Sequence, residues 1–562
     1  MTPPLTSADV GRKPIANQIK LNRRVLIGTG AVVALAGTAG LAFQGGPAHI
    51  ARVQGDAKTL RRGNGAEPDT LDPHKASGNW ENNIIGDMFM GLMTDNAAAN
   101  PIPGAAESYS ASADGLVYTF KLRDHKWSDG RPVTAQDYVF SLRRIMMPKT
   151  AAQYASILYP IKNAQEVNSG KLPVESLAVR ALDERTLEIA FHFEVPYIAQ
   201  LLTHYTSFAV PQHVVEKYGE DWLKPEHIAT NGPYVLKEWV PNDHVRLEKN
   251  PYFYDKDNVK IETVYFNPTQ DAAAALKRFR AGEFDLVTDS IPPQQVDWLR
   301  ANMPKELRLY PFILNQYVQF NFKQKPFDDL RVRTALSMAI EREIIVSKIT
   351  RAGEKPAYAL IPPGMPDYPP VAHLNFKTMT SAARVAKAKT LLAQAGFGPN
   401  NPLTFDYNMQ NTTEAKIVAV ALQEMWRQVG AQVQLVPSES QVHYDLLRKH
   451  DFAAAWAGWI ADYRDPKNYL FLFQSSTIDL NYGSYSNAKF DAVVEASDNE
   501  RDAGRRAGLL VQAEQMLLDD VAVAPVYFGV TRDLVSTEVK GWVSNNVNIN
   551  RTRFLSLDRT AA

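Results

Sequence analysis

A carboxylate and an indole side chain stand close together at the end of one short apolar stretch. Residues 452–459 carry no charge and are too few for a core helix, so they predict a buried strand. Asp462 follows this strand and stands between Trp459 and Tyr463. An aromatic face and a carboxylate together can bind an ammonium group, through a cation–π contact and a charge-assisted hydrogen bond.

The same residues leave a second interpretation open. Arg464 stands two positions after Asp462, and Pro466 follows. Asp462 could therefore form a surface ion pair with Arg464, or cap a turn before Pro466. Exposed ion pairs are common and contribute little to the stability of a fold.

Catalytic and metal-binding signatures do not accompany this stretch. The chain has no Gly-x-Ser-x-Gly elbow and no Walker loop. It has no cysteine, which excludes a thiol nucleophile and a Cys-ligated metal, and its eleven histidines include no His-x-x-x-His pair. We therefore expect a protein that is not an enzyme, with no catalytic residue, no metal and no cofactor.

The composition is that of a large globular protein. The chain has 562 residues, of which 45% are hydrophobic and 22% charged, enough for three or four domains. The chain has 61 basic and 61 acidic residues. Most of the charged residues among the first 50 are basic, so the part after residue 50 is mildly acidic. Such a charge balance gives no footprint for nucleic acid.

Residues 1–48 predict an export signal. Five basic residues precede an uncharged segment of 19 residues, 25–43, which is diluted by glycine and followed by small residues. The pair Arg23-Arg24 before Val-Leu-Ile resembles a twin-arginine signal. We expect a cleaved signal and a periplasmic protein. An uncleaved anchor stays open, because the segment is long enough to span a bilayer.

Alternating helices and strands predict an α/β architecture around the 452–459 strand. Helices are expected over 382–395 and 414–429, each ending at a glycine and each followed by a strand, 403–407 and 431–436. The 452–459 strand would then lie buried in the same βα domain.

Two further helices and a last strand are predicted elsewhere in the chain. A helix is expected to begin near Asn79, a single long helix is expected over 331–349, and a last strand over 521–528 is expected to bend at Pro525.

Six motifs in chain order carry a resemblance to a known family. They are Leu71-Asp-Pro-His-Lys75, Lys126-Trp-Ser-Asp-Gly-Arg-Pro-Val-Thr134, Pro148-Lys-Thr-Ala-Ala-Gln-Tyr-Ala-Ser156, Thr230-Asn-Gly-Pro-Tyr234, Pro326-Phe-Asp-Asp-Leu-Arg-Val-Arg-Thr-Ala-Leu336 and Ala457-Gly-Trp-Ile-Ala-Asp-Tyr463. Together they resemble the periplasmic oligopeptide-binding proteins, the large family 5 solute-binding receptors of peptide ABC importers.

The resemblance implies a two-lobed periplasmic-binding-protein fold with an additional third domain and a discontinuous first lobe. Chain crossings near 311–315 and 525–530 would form the hinge between the lobes. The boundaries that it implies are 56–89 for the first part of lobe I, 90–212 for the additional domain, 213–314 for the second part of lobe I, 315–529 for lobe II and 530–562 for the third part of lobe I.

The implied function is to capture an oligopeptide in a cleft that closes, and to deliver it to the inner-membrane permease and ATPase of an importer. Strand-like pairing binds peptides of any sequence, and a carboxylate binds the α-ammonium group. The protein is expected to be a monomer. The ligand-binding residues implied are Gly458, Trp459 and Ile460 for the ligand backbone, Asp462 for its ammonium group, and Ser77, Gly78, Asn79, Tyr154 and Tyr317.

Trp456 departs from the family pattern, which has a basic residue there for the carboxylate end of the peptide. Lys325 and Arg448 stand near other basic positions of the pattern without matching its register. Trp456 is therefore a further candidate ligand contact, and the length and carboxylate end of the ligand stay open. Receptors for a murein peptide or another non-standard ligand, and an exported hydrolase, are the alternatives.

Overall fold

One mixed β-sheet runs through the molecule. The computed structural model describes residues 57–288, 291–478 and 480–559, so the predicted export signal lies outside the described residues. Neighbouring strands of the sheet follow the order Ala431–Ser438, Leu403–Gln410, Ala454–Ile460, Leu307–Phe320, Val523–Val535, Leu286–Val287, Thr59–Gly63, Thr263–Asn267, His244–Lys249 and Tyr234–Val240, and Lys355–Pro356 also pairs with Val523–Val535.

Two long antiparallel strands, Leu307–Phe320 and Val523–Val535, join the two halves of this sheet. Their pairing is regular as far as Pro311 and resumes at Asn315, with a shift of register between these residues. Irregularities of this kind bend a sheet. The shift falls at residues 311–315, where a chain crossing was predicted.

Smaller sheets flank the large one. A four-stranded antiparallel sheet has the strand order Ala106–Ala111, Val117–Leu122, Thr186–Ala190 and Val179–Asp183. Two-stranded ladders pair Met93–Asp95 with Pro101–Pro103 and Val539–Lys540 with Ser556–Leu557.

Helices cover the sheets, as the α/β prediction required. The α-helices are Asn79–Met88, Ala135–Met146, Ala164–Asn168, Ile198–Leu201, Gln212–Tyr218, Ala272–Arg280, Val296–Asn302, Leu330–Ala339, Arg342–Ile344, Ser381–Gln394, Thr413–Gln428, Ser440–Arg448, Lys467–Leu470, Ala488–Asp498 and Ala503–Asp519. Among the described residues, no helix combines the length and the apolar character needed to cross a bilayer.

Distant parts of the sequence share one hydrophobic core. Leu60, Val264 and Val535 are each buried in the same cluster of side chains. Other clusters hold most of the apolar residues between Phe312 and Tyr527, including the helices on both sides of the Ala454–Ile460 strand. The chain therefore leaves the first core and returns to it through the two long strands.

The prediction of one helix over 331–349 is wrong. The chain forms Leu330–Ala339, the short turn Arg342–Ile344 and a π-helix, Ile345–Thr350. The buried guanidinium of Arg342 donates to the carbonyl oxygens of Ser337 at 3.0 Å and Ile340 at 3.2 Å. These carbonyls lie at the end of the first helix, where intrahelical partners run out, so Arg342 stabilises the break.

The last predicted strand is longer than 521–528. It covers Val523–Val535, because its second half pairs with residues 307–311 of the other long strand. The apolar run indicated the buried first half, and the second half depends on pairing with a strand distant in sequence.

Candidate ligand-binding site

The Ala454–Ile460 strand has one free edge, and Asp462 lies just beyond its end. On one side the strand pairs with Leu307–Phe320 along its whole length, up to the pair Leu314–Ile460. On the other side it pairs with Leu403–Gln410 only at Ala454 and Ala455. Among the described residues, no strand pairs with that side of 456–460. An unpaired edge of this kind can take up an extended chain.

Gly458 is required by the packing of this strand against its neighbour. A Cβ atom there would lie 2.9 Å from the carbonyl oxygen of Asn315 and 2.5 Å from the side chain of Gln316. The strand therefore lies closer to the Leu307–Phe320 strand than any larger residue would permit.

The side chain of Asn468 holds the loop that carries Asp462. The backbone N–H of Asp462 donates to Asn468 Oδ1 at 3.0 Å, and the indole N–H of Trp459 donates to the same oxygen at 2.8 Å. Asn468 Nδ2 donates in turn to Asp462 Oδ2 at 3.4 Å. Trp459 and Asp462, which the sequence predicted to act together, are thus fixed by one shared amide.

The Asp462 carboxylate lies in a crowded place without a counter-ion. Part of the residue remains accessible to solvent, yet the surrounding protein displaces enough water to raise its pKa to about 6. No lysine, arginine or histidine of the described residues forms an ion pair with it. An enclosed carboxylate without a cation is electrostatically suited to bind one.

The alternative roles for Asp462 are wrong. Arg464 turns away and donates to Asn100 Oδ1 at 2.7 Å. The turn after Pro466 is capped by Asp465, whose carboxylate accepts the backbone N–H of Lys467 at 2.9 Å. Asp465 also accepts both ends of the Arg506 guanidinium, at 2.8 and 2.9 Å. These pairings leave Asp462 available.

Tyr154, one of the predicted ligand-binding residues, faces Asp462. Burial raises its pKa to about 12, and the negative charge of Asp462 adds to the effect. The pKa of Tyr205 is raised in the same way, first by burial and then by Tyr154 and Asp462. His204 lies between the two, with its ring 6.1 Å from that of Tyr154 and 4.2 Å from that of Tyr205.

The loop Ser77-Gly78-Asn79 is connected to the tyrosines near Asp462 through the residue that precedes it. The hydroxyl of Tyr205 donates to the carbonyl oxygen of Ala76 at 3.2 Å, which ties the start of this loop to the tyrosines around Asp462. The side chains of Ser77 and Asn79 are exposed, and Asn79 begins the predicted helix, Asn79–Met88.

Glu81 fixes the shape of this loop. One carboxylate oxygen accepts the backbone N–H groups of Ser77 at 2.9 Å and Gly78 at 2.7 Å. The other accepts those of Asp69 at 2.9 Å and Thr70 at 3.3 Å. A buried carboxylate with four backbone donors holds the loop rigidly.

Trp456 and Tyr317 lie in the hydrophobic core. Trp456 is 4% exposed, with its ring 5.8 Å from that of Tyr527, and its carbonyl oxygen lies 2.8 Å from Nε2 of His443. Tyr317 is 2% exposed. The structure does not bring these two side chains to the accessible surface beside Asp462, as it does Trp459 and Tyr154.

Asn468, Glu81, His204 and Tyr205 were missed in the sequence. Their hydrogen bonds join residues that only the fold brings together. Glu81 alone could have been recognised in the sequence, because it stands three residues after the helix N-cap Gly78, the spacing of a capping box. No group of three or more histidine or acidic side chains in the described ranges could hold a metal ion.

A free strand edge beside a carboxylate without an ion-pair partner is suited to an extended ligand that carries a cation. Residues 100–481 match the family model described as bacterial extracellular solute-binding proteins, family 5 middle. The chain belongs to this family.

The relatives extend over nearly the whole chain. The periplasmic oligopeptide-binding protein OppA of Escherichia coli is 36% identical over 531 residues, which cover 94% of this chain and 97% of that protein. The crystal structure of Haemophilus influenzae OppA in complex with RPPGFSPFR has a TM-score of 0.78 at 31% identity, covering 90% of this chain and 99% of that one. The Escherichia coli murein tripeptide binding protein MppA has a TM-score of 0.80 at 32% identity, with 90% and 99% covered. The predicted family and fold class are thereby confirmed.

Proposed function

We propose that this protein is an extracytoplasmic receptor that captures oligopeptides and delivers them to an ABC importer. The observation that carries the proposal is the free edge of residues 456–460, which ends at the unpaired carboxylate of Asp462. Relatives that match nearly the whole chain are named as periplasmic oligopeptide-binding proteins.

Backbone pairing gives affinity for peptides of many sequences. Gly458, Trp459 and Ile460 pair with the backbone of an extended ligand, because hydrogen bonds between main chains do not depend on side-chain type. The side chain of Ile460 is 40% exposed beside this edge. The loop Ser77-Gly78-Asn79, held by Glu81, contributes from the opposite side.

Asp462 binds the α-ammonium group of the peptide. The ammonium supplies the cation that the carboxylate lacks, and Trp459 and Tyr154 offer aromatic surfaces beside it. Binding at the chain terminus places the first peptide residue at Asp462 and so sets the register of the rest.

The lobes close over the ligand by bending at the register shift between residues 311 and 315. The proposed parts are 56–89, 213–314 and 530–562 for lobe I, 90–212 for the additional domain and 315–529 for lobe II. The receptor acts as a monomer in the periplasm, after removal of residues 1–48, and its partners are the permease and ATPase of the importer. It has no catalytic activity and needs no metal or cofactor.

Calorimetry with RPPGFSPFR tests the proposal. The free-amine peptide should bind, whereas the same peptide acetylated at its N-terminus should bind at least tenfold more weakly, since the acetyl group removes the charge. Mass spectrometry of the bound peptide should show it intact. Recovery of fragments would indicate a hydrolase, and equal binding of both peptides would exclude Asp462 as the ammonium site.

A receptor for a murein peptide is the second candidate. It is favoured by the likeness to the murein tripeptide binding protein MppA, at 32% identity. Competition between murein tripeptide and RPPGFSPFR in the same calorimeter cell distinguishes the two ligands.

A further inference from the structure

Asn468 is nearly inaccessible, and both ends of its amide bond to residues of the proposed ligand site. The residue is 2% exposed and belongs to the short helix Lys467–Leu470. Its oxygen accepts the indole N–H of Trp459 at 2.8 Å and the backbone N–H of Asp462 at 3.0 Å, and its nitrogen donates to the Asp462 carboxylate at 3.4 Å.

The orientation of this amide is determined by its partners. Two N–H groups point at one end and a carboxylate lies at the other, so exchanging the oxygen and nitrogen of Asn468 would place donors against donors. The amide therefore couples the direction of the Trp459 ring to the position of the Asp462 carboxylate.

The other groups that face Asp462 are neutral. They are tyrosines whose pKa values are raised above the ordinary value, foremost by burial and further by the charge of Asp462: Tyr154, Tyr205, Tyr463 and Tyr469. His204, beside the first two, has its pKa lowered by burial to about 3 and so carries no charge near neutral pH. Asp465 lies nearby and is paired with Arg506. The Asn468 amide is thus a donor to a carboxylate that has no ion-pair partner among the described residues.

We infer that Asn468 is a positioning residue, which holds the Asp462 carboxylate and the Trp459 indole in the arrangement that receives the ligand's ammonium group. This inference rests on the proposed function. Asn468 does not touch the ligand. It acts by fixing where the carboxylate lies and by stabilising its ionised form through the hydrogen bond from Nδ2, at 3.4 Å.

Asn468→Ala, with Asn321→Ala as its matched control, tests the inference. Asn321 is also a buried asparagine of the C-terminal half, where its Nδ2 donates to the carbonyl oxygens of His450 and Phe452, both at 2.9 Å. It lies at the opposite end of the Ala454–Ile460 strand from Asp462, since Phe320 pairs with Ala454. Both changes remove a buried amide, and only one removes it from the site.

Calorimetry with RPPGFSPFR gives the first readout. Asn468→Ala should weaken binding roughly tenfold at about pH 8, the effect of losing a hydrogen bond to a charged group. The loss should be severalfold larger at about pH 6, because the carboxylate without its donor takes up a proton more readily. Asn321→Ala should keep the affinity within about twofold at both pH values, with the pH dependence of the wild type.

A second readout needs no peptide. In protein labelled with fluorotryptophan, the signal of Trp459, assigned by its loss in Trp459→Phe, should titrate with Asp462 and stop titrating in Asp462→Asn. In Asn468→Ser, a milder change in case the alanine variant does not fold, the midpoint should move to higher pH.

The outcomes separate the inference from the proposed function. If wild-type protein does not bind RPPGFSPFR or murein tripeptide, the proposed function fails, and an unchanged Trp459 titration in the Asn468 variants would overturn the inference on its own. If wild-type protein binds and the Asn468 variant keeps the affinity and pH dependence of the wild type, the function stands and the inference is wrong. Equal losses in the Asn468 and Asn321 variants at both pH values would likewise reduce Asn468 to a structural residue.

Discussion

The ring of Tyr463 stacks on the ring of Tyr197, with centroids 4.9 Å apart and planes 5° from parallel. Tyr463 directly follows Asp462, whereas Tyr197 belongs to the segment before the helix Ile198–Leu201. Close by, the Lys467 ammonium lies 4.7 Å from the centroid of the Phe193 ring. Segments far apart in sequence therefore meet at the loop that carries the proposed ammonium site.

Tyr197→Ala should weaken peptide binding about three- to tenfold, because a stacked aromatic pair contributes roughly 0.5–1.5 kcal/mol beyond its buried area. The affinity for RPPGFSPFR, measured by calorimetry, checks this. Tyr252→Ala is the control, since Tyr252 is 45% exposed. Equal affinity in both variants would show that the stack does not support the site.

Asp462→Asn should weaken binding of free-amine peptides by roughly 2–5 kcal/mol, the effect of removing one partner of an enclosed charge pair. The asparagine keeps the shape of the side chain and loses the charge. The same change at the exposed Asp451 is the control and should leave the affinity unchanged. Equal affinity of Asp462→Asn and the wild type in calorimetry would show that Asp462 does not bind the ammonium group.

Without ligand, the same Asp462→Asn change should stabilise the protein near pH 8, by at most about 3 kcal/mol and less where solvent screens the charge. Burial raises the folded-state pKa of Asp462 from its ordinary value of 3.8 to about 6. The folded state thus binds the proton more tightly, and the contribution of this group to stability, complete below about pH 4, is lost as pH rises through about 6. Urea denaturation of both proteins near pH 8 and near pH 4 measures the difference, which should vanish at the lower pH.

Peptide affinity should fall as pH decreases through the Asp462 pKa of about 6, because the protonated carboxyl cannot pair with an ammonium group. The decrease should approach tenfold for each pH unit below that value. A calorimetric series between about pH 8 and pH 5 records it, with the N-acetylated peptide as the reference. A flat profile for the free-amine peptide would contradict the prediction.

Glu81→Gln should destabilise the protein by about 2–4 kcal/mol, since the amide nitrogen would face N–H groups that now donate to a carboxylate. Those donors belong to residues 69, 70, 77 and 78, so the affinity for peptide should fall as the loop loosens. Thermal unfolding and calorimetry measure the two effects. Glu107→Gln, at an exposed glutamate, should change neither.

The amino-acid sequence was sufficient for the local parts of this protein. A short apolar run without charges predicted the strand that became Ala454–Ile460, and Asp462 after it was a candidate for binding an ammonium group. Helices 381–394 and 413–428 were predicted to within a residue, because glycines end them and their apolar spacing is regular. Six motifs were enough to indicate the family.

The tertiary structure alone decided how these parts act together. Asp462 does not pair with Arg464, because Arg464 donates to Asn100 instead. Asp462 does not cap the turn at Pro466, because Asp465 accepts the backbone N–H of Lys467 there. The guanidinium of Arg342 breaks a helix that periodicity presented as continuous. The free edge at 456–460 exists because a neighbouring strand pairs only as far as Ala455. The bond from Arg464 to Asn100 and the strand pairing that ends at Ala455 join residues distant in sequence, and the pattern of a single segment carries no information about such partners.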